Sequence, residues 1–405
     1  MSTNWHILCL IFEKIMKNYI FIFYFLISSI ATSQNYVFEL NTKKAIKATH
    51  ILFNLNNGLI TNHDGYFNLP NNIFIDTLYF SHLSYKSRKL LSNEIKKNDT
   101  IFLEKAPIQL DEIILNSFNP KEIVIKSIHR IDKNYINTPH NLFGFFRQTL
   151  KENSEGIEMI EVEFISYTKN KRTTTKILKA KLAENYSKWS LKTYGGVSDM
   201  IKDGDFVRKK GHFLDLNNIN DYDFIFKEKI EYKNLEVYKI NFTPTNDDNL
   251  QNLRKGTLYI DSDSYAIVEI RYTFDKTKLL RLTNEQSKTK DNTTKPAYVL
   301  KSVENTIKYY QLPNKKWCLF YLEVHNLLEG TYQNKKYNYN LAAKLIINDI
   351  KIKNAYKVKT NYNLTRTFSK ALIKINDLKN WNDTYKFSLS NEEKEILIDI
   401  DKKKL

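Results

Sequence analysis

Glu158, Glu161 and Glu163 fall within EGIEMIEVEF, a run of carboxylates interleaved with apolar residues in the 405-residue chain. On a strand, Glu161 and Glu163 share a face, so two carboxyl groups could stand side by side as glycoside hydrolysis requires. The competing reading is a solvated strand face opposite Ile160, Val162 and Phe164. Histidines are the next candidates: beyond residue 33 they are His50, His63, His82, His129, His140, His212 and His325. None begins His-x-x-Glu or His-Glu-x-x-His, the spacings that bring zinc ligands together on a helix. His129–Asp132 and His325–Glu329 can be written as helical pairs, but the second lies in strand and loop, where that spacing does not converge. Gly-x-Ser-x-Gly and the phosphate-binding glycine loop are missing as well, and Gly195-Gly196 reads as a turn. This reading assigns no catalytic, cofactor-binding or metal-ligating residue, and it expects no enzyme and no cofactor.

The stretch NGLITNHDGYFNLP, residues 57–70, is a hairpin signal, because Asp64-Gly65 accepts the positive φ of a tight turn. A calcium loop with Gly65 in its invariant glycine place would put the first ligand on Ile60 and the closing glutamate on Asn71, and neither can serve. His63 is therefore expected to be a solvent-facing turn residue. Cys318 lies in KWCLFYLEV, where alternation puts it on one face with Phe320, Leu322 and Val324, as a buried and inert thiol.

These groups must be positioned by what lies around them. Glu13, Lys14 and Lys17 precede the apolar run YIFIFYFLISSIA, and Ala31 and Ser33 give a small-x-small cut, so residues 1–33 are expected to be a signal peptide. Met16 would serve as an alternative start, and retention of the run as an anchor is the alternative fate. Cys9 lies before the apolar core, so it is no lipidation site at the cut. Removing the leader leaves 405 − 33 = 372 residues, two or three domains, with Cys318 as the last thiol. The formal charge of +17 falls to 17 − 1 = +16. Such a charge suits anionic partners, envelope lipids, glycans or envelope proteins, but the basic residues are spread along the chain, as a solvated surface with a Lys- and Asn-rich coding bias would also have them. Export argues against nucleic acid. The expected address is periplasmic or peripheral to the outer membrane, with no transmembrane helix after cleavage. A membrane β-barrel is disfavoured by the charge, the helix below and the basic end DKKKL.

From Tyr36 to Leu103 short β-branched and aromatic runs alternate with turn residues, as in a small β-sandwich over 34–105. NPKEIVIKSIHRIDKNY is an amphipathic helix within a linker region, 106–141. Asn119 caps it, Pro120 opens it, and Val124, Ile128, Ile131 and Tyr135 make its apolar face, with His129 left to solvent. Hairpin patterns fill 142–364. They centre on Asn234, on Ser262 to Ser264 and on Pro313-Asn314, and they predict one large, curved antiparallel sheet. RLTNEQSKTKDNTTKP, residues 281–296, reads as a polar loop. Residues 365–405 read as helical and basic. The 26 Tyr and 24 Phe suit either a sugar- or acyl-binding sheet or ordinary packing of wide sheets.

AIKATHILFNLNNGLITNHDGYFNLP, DTLYFSHLSYKSRKL and DTIFLEKAPIQLDEIIL together resemble the carboxypeptidase-regulatory-like domain of Bacteroidetes envelope proteins, which also precedes many TonB-dependent transporters. The matching positions are Ile46, Ala48, Gly58, Thr61, Asn62, Asp64, Gly65, Phe67, Ser81 and Tyr85. Ser84 stands where that family usually has Gly, and the opening strand lacks its Gly-x-Val. The resemblance runs from Tyr36 to about Leu115 and implies a transthyretin-like sandwich without chemistry of its own. KSIHRIDKNYINTPHNLFGFFRQTL resembles a segment that follows the same domain in other Bacteroidetes proteins. GTLYIDSDSYAIVEI is similar to the repeating edge of half-barrels in lipoprotein-carrier-like proteins. The expectation is a mainly β, half-barrel-like envelope protein that binds an apolar or anionic ligand, or a partner, on its sheet. The alternatives are a hydrolase using Glu161 and Glu163, and a purely structural component.

Overall fold

The computed structural model describes residues 35–402 apart from 54–56, 70–74, 97–98, 107–118, 170–171, 187–189, 194–195, 234, 246–252, 288–296, 333–334, 364–365 and 376–387. The leader read into residues 1–33 lies outside the described residues. Among those described, no helix is long and apolar enough to cross a membrane.

Two small sheets make the N-terminal sandwich. Strands β1 (Asn35–Glu39), β4 (Tyr66–Phe67) and β7 (Thr100–Leu103) pair in the order β4-β1-β7. Strands β2 (His50–Phe53), β3 (Asn57–Ile60), β5 (Thr77–His82) and β6 (Tyr85–Leu91) pair as β3-β2-β5-β6. Between them Val37, Ile51, Phe67, Leu78, Phe80 and Ile101 form a closed core. The turn before β4 follows the sequence signal. Asn62 Oδ1 accepts from the backbone N–H of Asp64 and of Tyr66, both at 2.9 Å, and Gly65 takes φ +73°. A Cβ on Gly65 would sit 2.5 Å from the Val37 carbonyl oxygen. Gly65→Ala is therefore expected to destabilise the protein by about 1–3 kcal/mol, seen as a lower urea midpoint. A midpoint equal to wild type would remove that backbone constraint.

Ten antiparallel strands form the second sheet: β8 (His140–Glu152), β9 (Glu155–Lys169), β10 (Arg172–Glu184), β11 (Tyr222–Tyr232), β12 (Leu235–Pro244), β13 (Arg254–Asp261), β14 (Ile267–Phe274), β15 (Ala297–Gln311), β16 (Trp317–Tyr332) and β17 (Lys335–Lys351). Their order is β10-β9-β8-β17-β16-β15-β14-β13-β12-β11, so the sheet is open, with β10 and β11 at its edges. The hairpins expected from alternation are present, and β8 meets β17 in the middle, a pairing that no local pattern announces.

One face of this sheet packs under helices. Helix α1 (Pro120–Asn134) starts where expected, its Asn119 side chain accepting from the N–H groups of Lys121 and Glu122. With α2 (Val197–Gly204), α3 (Phe206–Lys209) and the turn at Phe213 it buries Ile123, Val124, Ile128, Ile131, Val207 and Phe213 against Phe146, Val162, Leu258, Ile270, Leu322 and Leu345. His129 is exposed. Gly196 is the residue before α2, at φ +61°; Gly195 lies outside the described residues. Helix α4 (Lys276–Ser287) is a correction: it takes the first part of the polar stretch read as a loop, whose remainder, 288–296, is outside the described residues. An Asp275 side chain that accepts from the N–H groups of Thr277 and Lys278 starts this helix, a capping signal that the polar composition hid. Helix α5 (Phe368–Leu372) and helix α6 (Asn391–Lys402) supply the expected C-terminal helical parts.

The other face carries the N-terminal sandwich and α6. Ala48 and Ile60 of the sandwich pack on Phe145, Phe320, Tyr321 and Ile346. Ile396 and Ile400 of α6 pack on Met159 and Ala183.

Alternation fails once with consequence. The β15–β16 register shifts between Lys308 and Tyr309, leaving Phe320 as the extra residue of a bulge. Cys318 therefore packs with Ile136 and Leu312, while Leu322 packs under the helices. They do not share a face, contrary to the sequence reading. The thiol is buried, and burial pushes its pKa up to about 12, in keeping with an inert group.

Candidate functional site

Strand register lines up a row of polar side chains on the sandwich-bearing face. Lys181, Glu161, Arg147, Lys344, Glu323, Thr306 and Arg271 stand opposite one another across β10, β9, β8, β17, β16, β15 and β14. Charges opposite in sign stabilise cross-strand pairs, and like charges oppose them. Arg147 and Lys344 are the awkward neighbours. Glu393 of α6 resolves them: one oxygen takes Arg147 Nη1 at 3.1 Å and the other takes Lys344 Nζ at 3.1 Å. Arg147 also donates to Glu161 Oε1 from Nε at 2.8 Å and from Nη2 at 2.5 Å. Glu161 is thus held in a buried ion pair, while Glu163, on the same face, is exposed. The pair does not present two free carboxyl groups to a substrate.

Glu158 is placed differently. It is fully buried, accepts from Gln148 Nε2 at 2.7 Å and from the Tyr186 hydroxyl, and stands opposite Glu184 in the β9–β10 register. Burial raises its pKa to about 7, and Glu184 adds to that rise while the two hydrogen bonds oppose it. A second buried polar knot ties the domains: Lys233 Nζ lies 2.8 Å from His50 Nδ1, and Lys308 Nζ donates to the Ala48 carbonyl at 2.9 Å. Burial lowers Lys233 to about 7, with the Lys308 charge adding to the effect.

His63 is not a free turn residue. Its Nε2 lies 3.0 Å from Glu323 Oε1, and His325 Nε2 lies 3.0 Å from the same oxygen. The two rings meet edge to face with centroids 5.5 Å apart. This is a correction of the solvent-facing expectation, and the reason is domain docking, which no local motif records. One signal was available: Glu323-Val-His325 has the i, i+2 spacing that sets two side chains on one strand face. The His325–Glu329 spacing, by contrast, brings no such pair together on a strand. His129 and Asp132 make no such group; Asp132 bonds Lys210 at 3.0 Å.

A cavity of about 210 Å3 lies under helices α1 and α3. Ile131, Tyr135, Val207, Trp317 and Leu319 supply its apolar walls. Lys169, Arg208 and Lys210 supply its cations, Asp132 and Asp205 its acids, a net of 3 − 2 = +1. Arg208 bonds Asp205 at 3.2 Å and Lys210 bonds Asp132 at 3.0 Å, which leaves Lys169 outside those two pairs. Lys169 also lines an open groove of about 510 Å3, together with Tyr167, Arg172, Thr174, Lys357 and Val358. That lining carries three cations and no acid. Packed helices cover one face of the sheet, and Lys169 lines both the cavity beneath them and the basic groove at the β10 edge.

No family model and no curated protein matches the chain. Solved structures resemble it at low similarity. A domain assigned to outer membrane lipoprotein sorting, from Vibrio parahaemolyticus, is 14% identical with a TM-score of 0.29, covering 59% of this chain and 95% of that one. A DUF1329 family protein from Desulfovibrio piger ATCC 29098 is 7% identical with a TM-score of 0.25, covering 59% and 96%. Lipovitellin, in a structure concerned with its lipid–protein interactions, is 10% identical with a TM-score of 0.23, covering 55% of this chain and 26% of that one. Scores this low transfer no function.

Proposed function

We propose that this chain is a non-catalytic binding protein of the cell envelope, with an accessory sandwich of the carboxypeptidase-regulatory-like kind, that holds a small anionic amphiphile. The apolar end enters the cavity walled by Val207, Trp317 and Leu319, and the anionic group lies on Lys169, Arg172 and Lys357. The observation that supports this most is that Lys169 lines both the cavity with the Val207, Trp317 and Leu319 walls and the acid-free basic groove. At about 210 Å3 the cavity is below the roughly 300–1,000 Å3 of ordinary ligand pockets, so it takes the end of one chain and not a whole lipid. The envelope address rests on the leader read in residues 1–33 and on the positive charge of the remainder.

Titration calorimetry of the chain lacking residues 1–33 tests it. Octanoate is expected to bind, octanol to bind about tenfold more weakly, and the triple variant Lys169→Gln, Arg172→Gln, Lys357→Gln to lose about tenfold for octanoate alone. Equal binding of acid and alcohol, or no heat with either, would contradict the assignment.

A further inference from the structure

We propose that His63, Glu323 and His325 bind one divalent transition-metal ion of the zinc class, and that this ion clamps the N-terminal sandwich to the large sheet. The three ligand atoms lie within 4.8 Å of one another, and they come from both domains. Two imidazoles and one carboxylate suit zinc-class ions; calcium and magnesium prefer all-oxygen sets.

The geometry is nearly assembled. Metal bonds of about 2.0–2.2 Å in a tetrahedron separate ligand atoms by about 3.4 Å. Both Nε2 atoms stand 3.0 Å from Glu323 Oε1, so they need to part by a few tenths of an ångström. The two histidine side chains are 30% and 29% exposed and have room for that shift, whereas Glu323 is fixed at 4%. The Tyr321 hydroxyl is hydrogen-bonded to Glu323 and orients it from behind, as outer partners of metal ligands do.

The turn that carries His63 is pinned from two sides. Asn62 Nδ2 donates to the Leu389 carbonyl at 3.0 Å, and Asp64 Oδ2 accepts from the Asn391 N–H at 2.7 Å. An adjoining pocket of about 30 Å3, lined by His63, His325, Lys344, Glu392 and Glu393, has room for one water as fourth ligand. Lys344 and Lys47 add positive charge near Glu323 and oppose a cation. Glu393 on Lys344 and Glu392 near His63 offset it. Without metal, the competing arrangement is two imidazole N–H groups donating to one carboxylate oxygen, and titration separates the two.

The chain lacking residues 1–33 is stripped with chelator and titrated with Co2+. One equivalent is expected to give the visible absorption of a four-coordinate ion, displaced by Zn2+ and unaffected by millimolar Mg2+ or Ca2+. His63→Ala and His325→Ala should each weaken Zn2+ binding by at least about 100-fold with unchanged circular dichroism. Zn2+ should raise the melting temperature of the wild type and leave that of His63→Ala unmoved. No absorption at one equivalent, or His63→Ala binding Zn2+ as the wild type does, would overturn the site. Full Zn2+ binding without a rise in melting temperature would overturn the clamp. The amphiphile titration above uses neither histidine, so the two assignments can fail separately.

Discussion

Arg147→Ala is expected to destabilise the protein by about 3–5 kcal/mol, the cost of breaking a buried charge network by removing one partner. The guanidinium is 2% exposed and serves two carboxylates on different elements, Glu161 of β9 and Glu393 of α6. Its removal takes from buried Glu161 its larger compensating charge, with Lys181 opposite contributing less, and takes from Glu393 one of its two cations. Helix α6 would keep Ile396 and Ile400 on Met159 and Ala183, and the bonds of Glu392 to Lys151 and of Asp399 to the Gly156 N–H. Arg147→Lys should recover only part of the loss, since an ammonium cannot offer three directed donors at once. Urea unfolding checks this: the midpoint should fall with the slope unchanged. A loss below about 1 kcal/mol would mean that water reaches the row and screens it.

The same network sets behaviour in acid. Burial favours the neutral form of Glu393, but the Arg147 and Lys344 charges overcome it and hold the group at about 2, below the 4.5 of a free glutamate. A depressed folded pKa gives stability that is present above 4.5 and lost as pH falls through about 2.

The parts of this structure that were legible in sequence are the local ones. Asn119-Pro120 marked a helix start, Asp64-Gly65 marked a turn, and period-two alternation marked the β13–β14 and β15–β16 hairpins, because each depends on residues a few positions apart. What escaped depends on distant partners. Glu161 looked like one member of a solvated pair, since nothing near it announces Arg147 opposite or Glu393 above. Phe320 looked like an ordinary alternating residue, yet the bulge there reverses which face follows. That reversal brings Glu323 and His325 under the sandwich and Leu322 under the helices. Charged rows on strands read as solvent-facing by default, and here helix α6 and the docked sandwich together bury one.

Glu158→Gln is expected to stabilise the protein above neutral pH and to change little near pH 4. The carboxyl is raised by burial, with Glu184 adding, from 4.5 to about 7. A folded pKa above the unfolded value contributes stability that is complete below 4.5 and is lost as pH rises through 7. A shift of that size corresponds to about 3 kcal/mol at the alkaline limit, so the variant should exceed the wild type by about that amount at pH 9. Gln148 and Tyr186 donate to different oxygens of Glu158. Glutamine keeps one of these acceptors and puts an NH2 donor at the other, as the protonated acid puts an O–H there, so it mimics the neutral form. Lys233 complicates the wild-type curve: burial lowers it to about 7, and a depressed base loses stability as pH falls. That trend runs opposite to the one at Glu158 and is common to both proteins, so it cancels in their difference. Urea midpoints at pH 5, 7 and 9 supply the difference. If it stays flat across that range, Glu158 ionises without cost, and its contacts with Tyr186 and Gln148 compensate the charge fully.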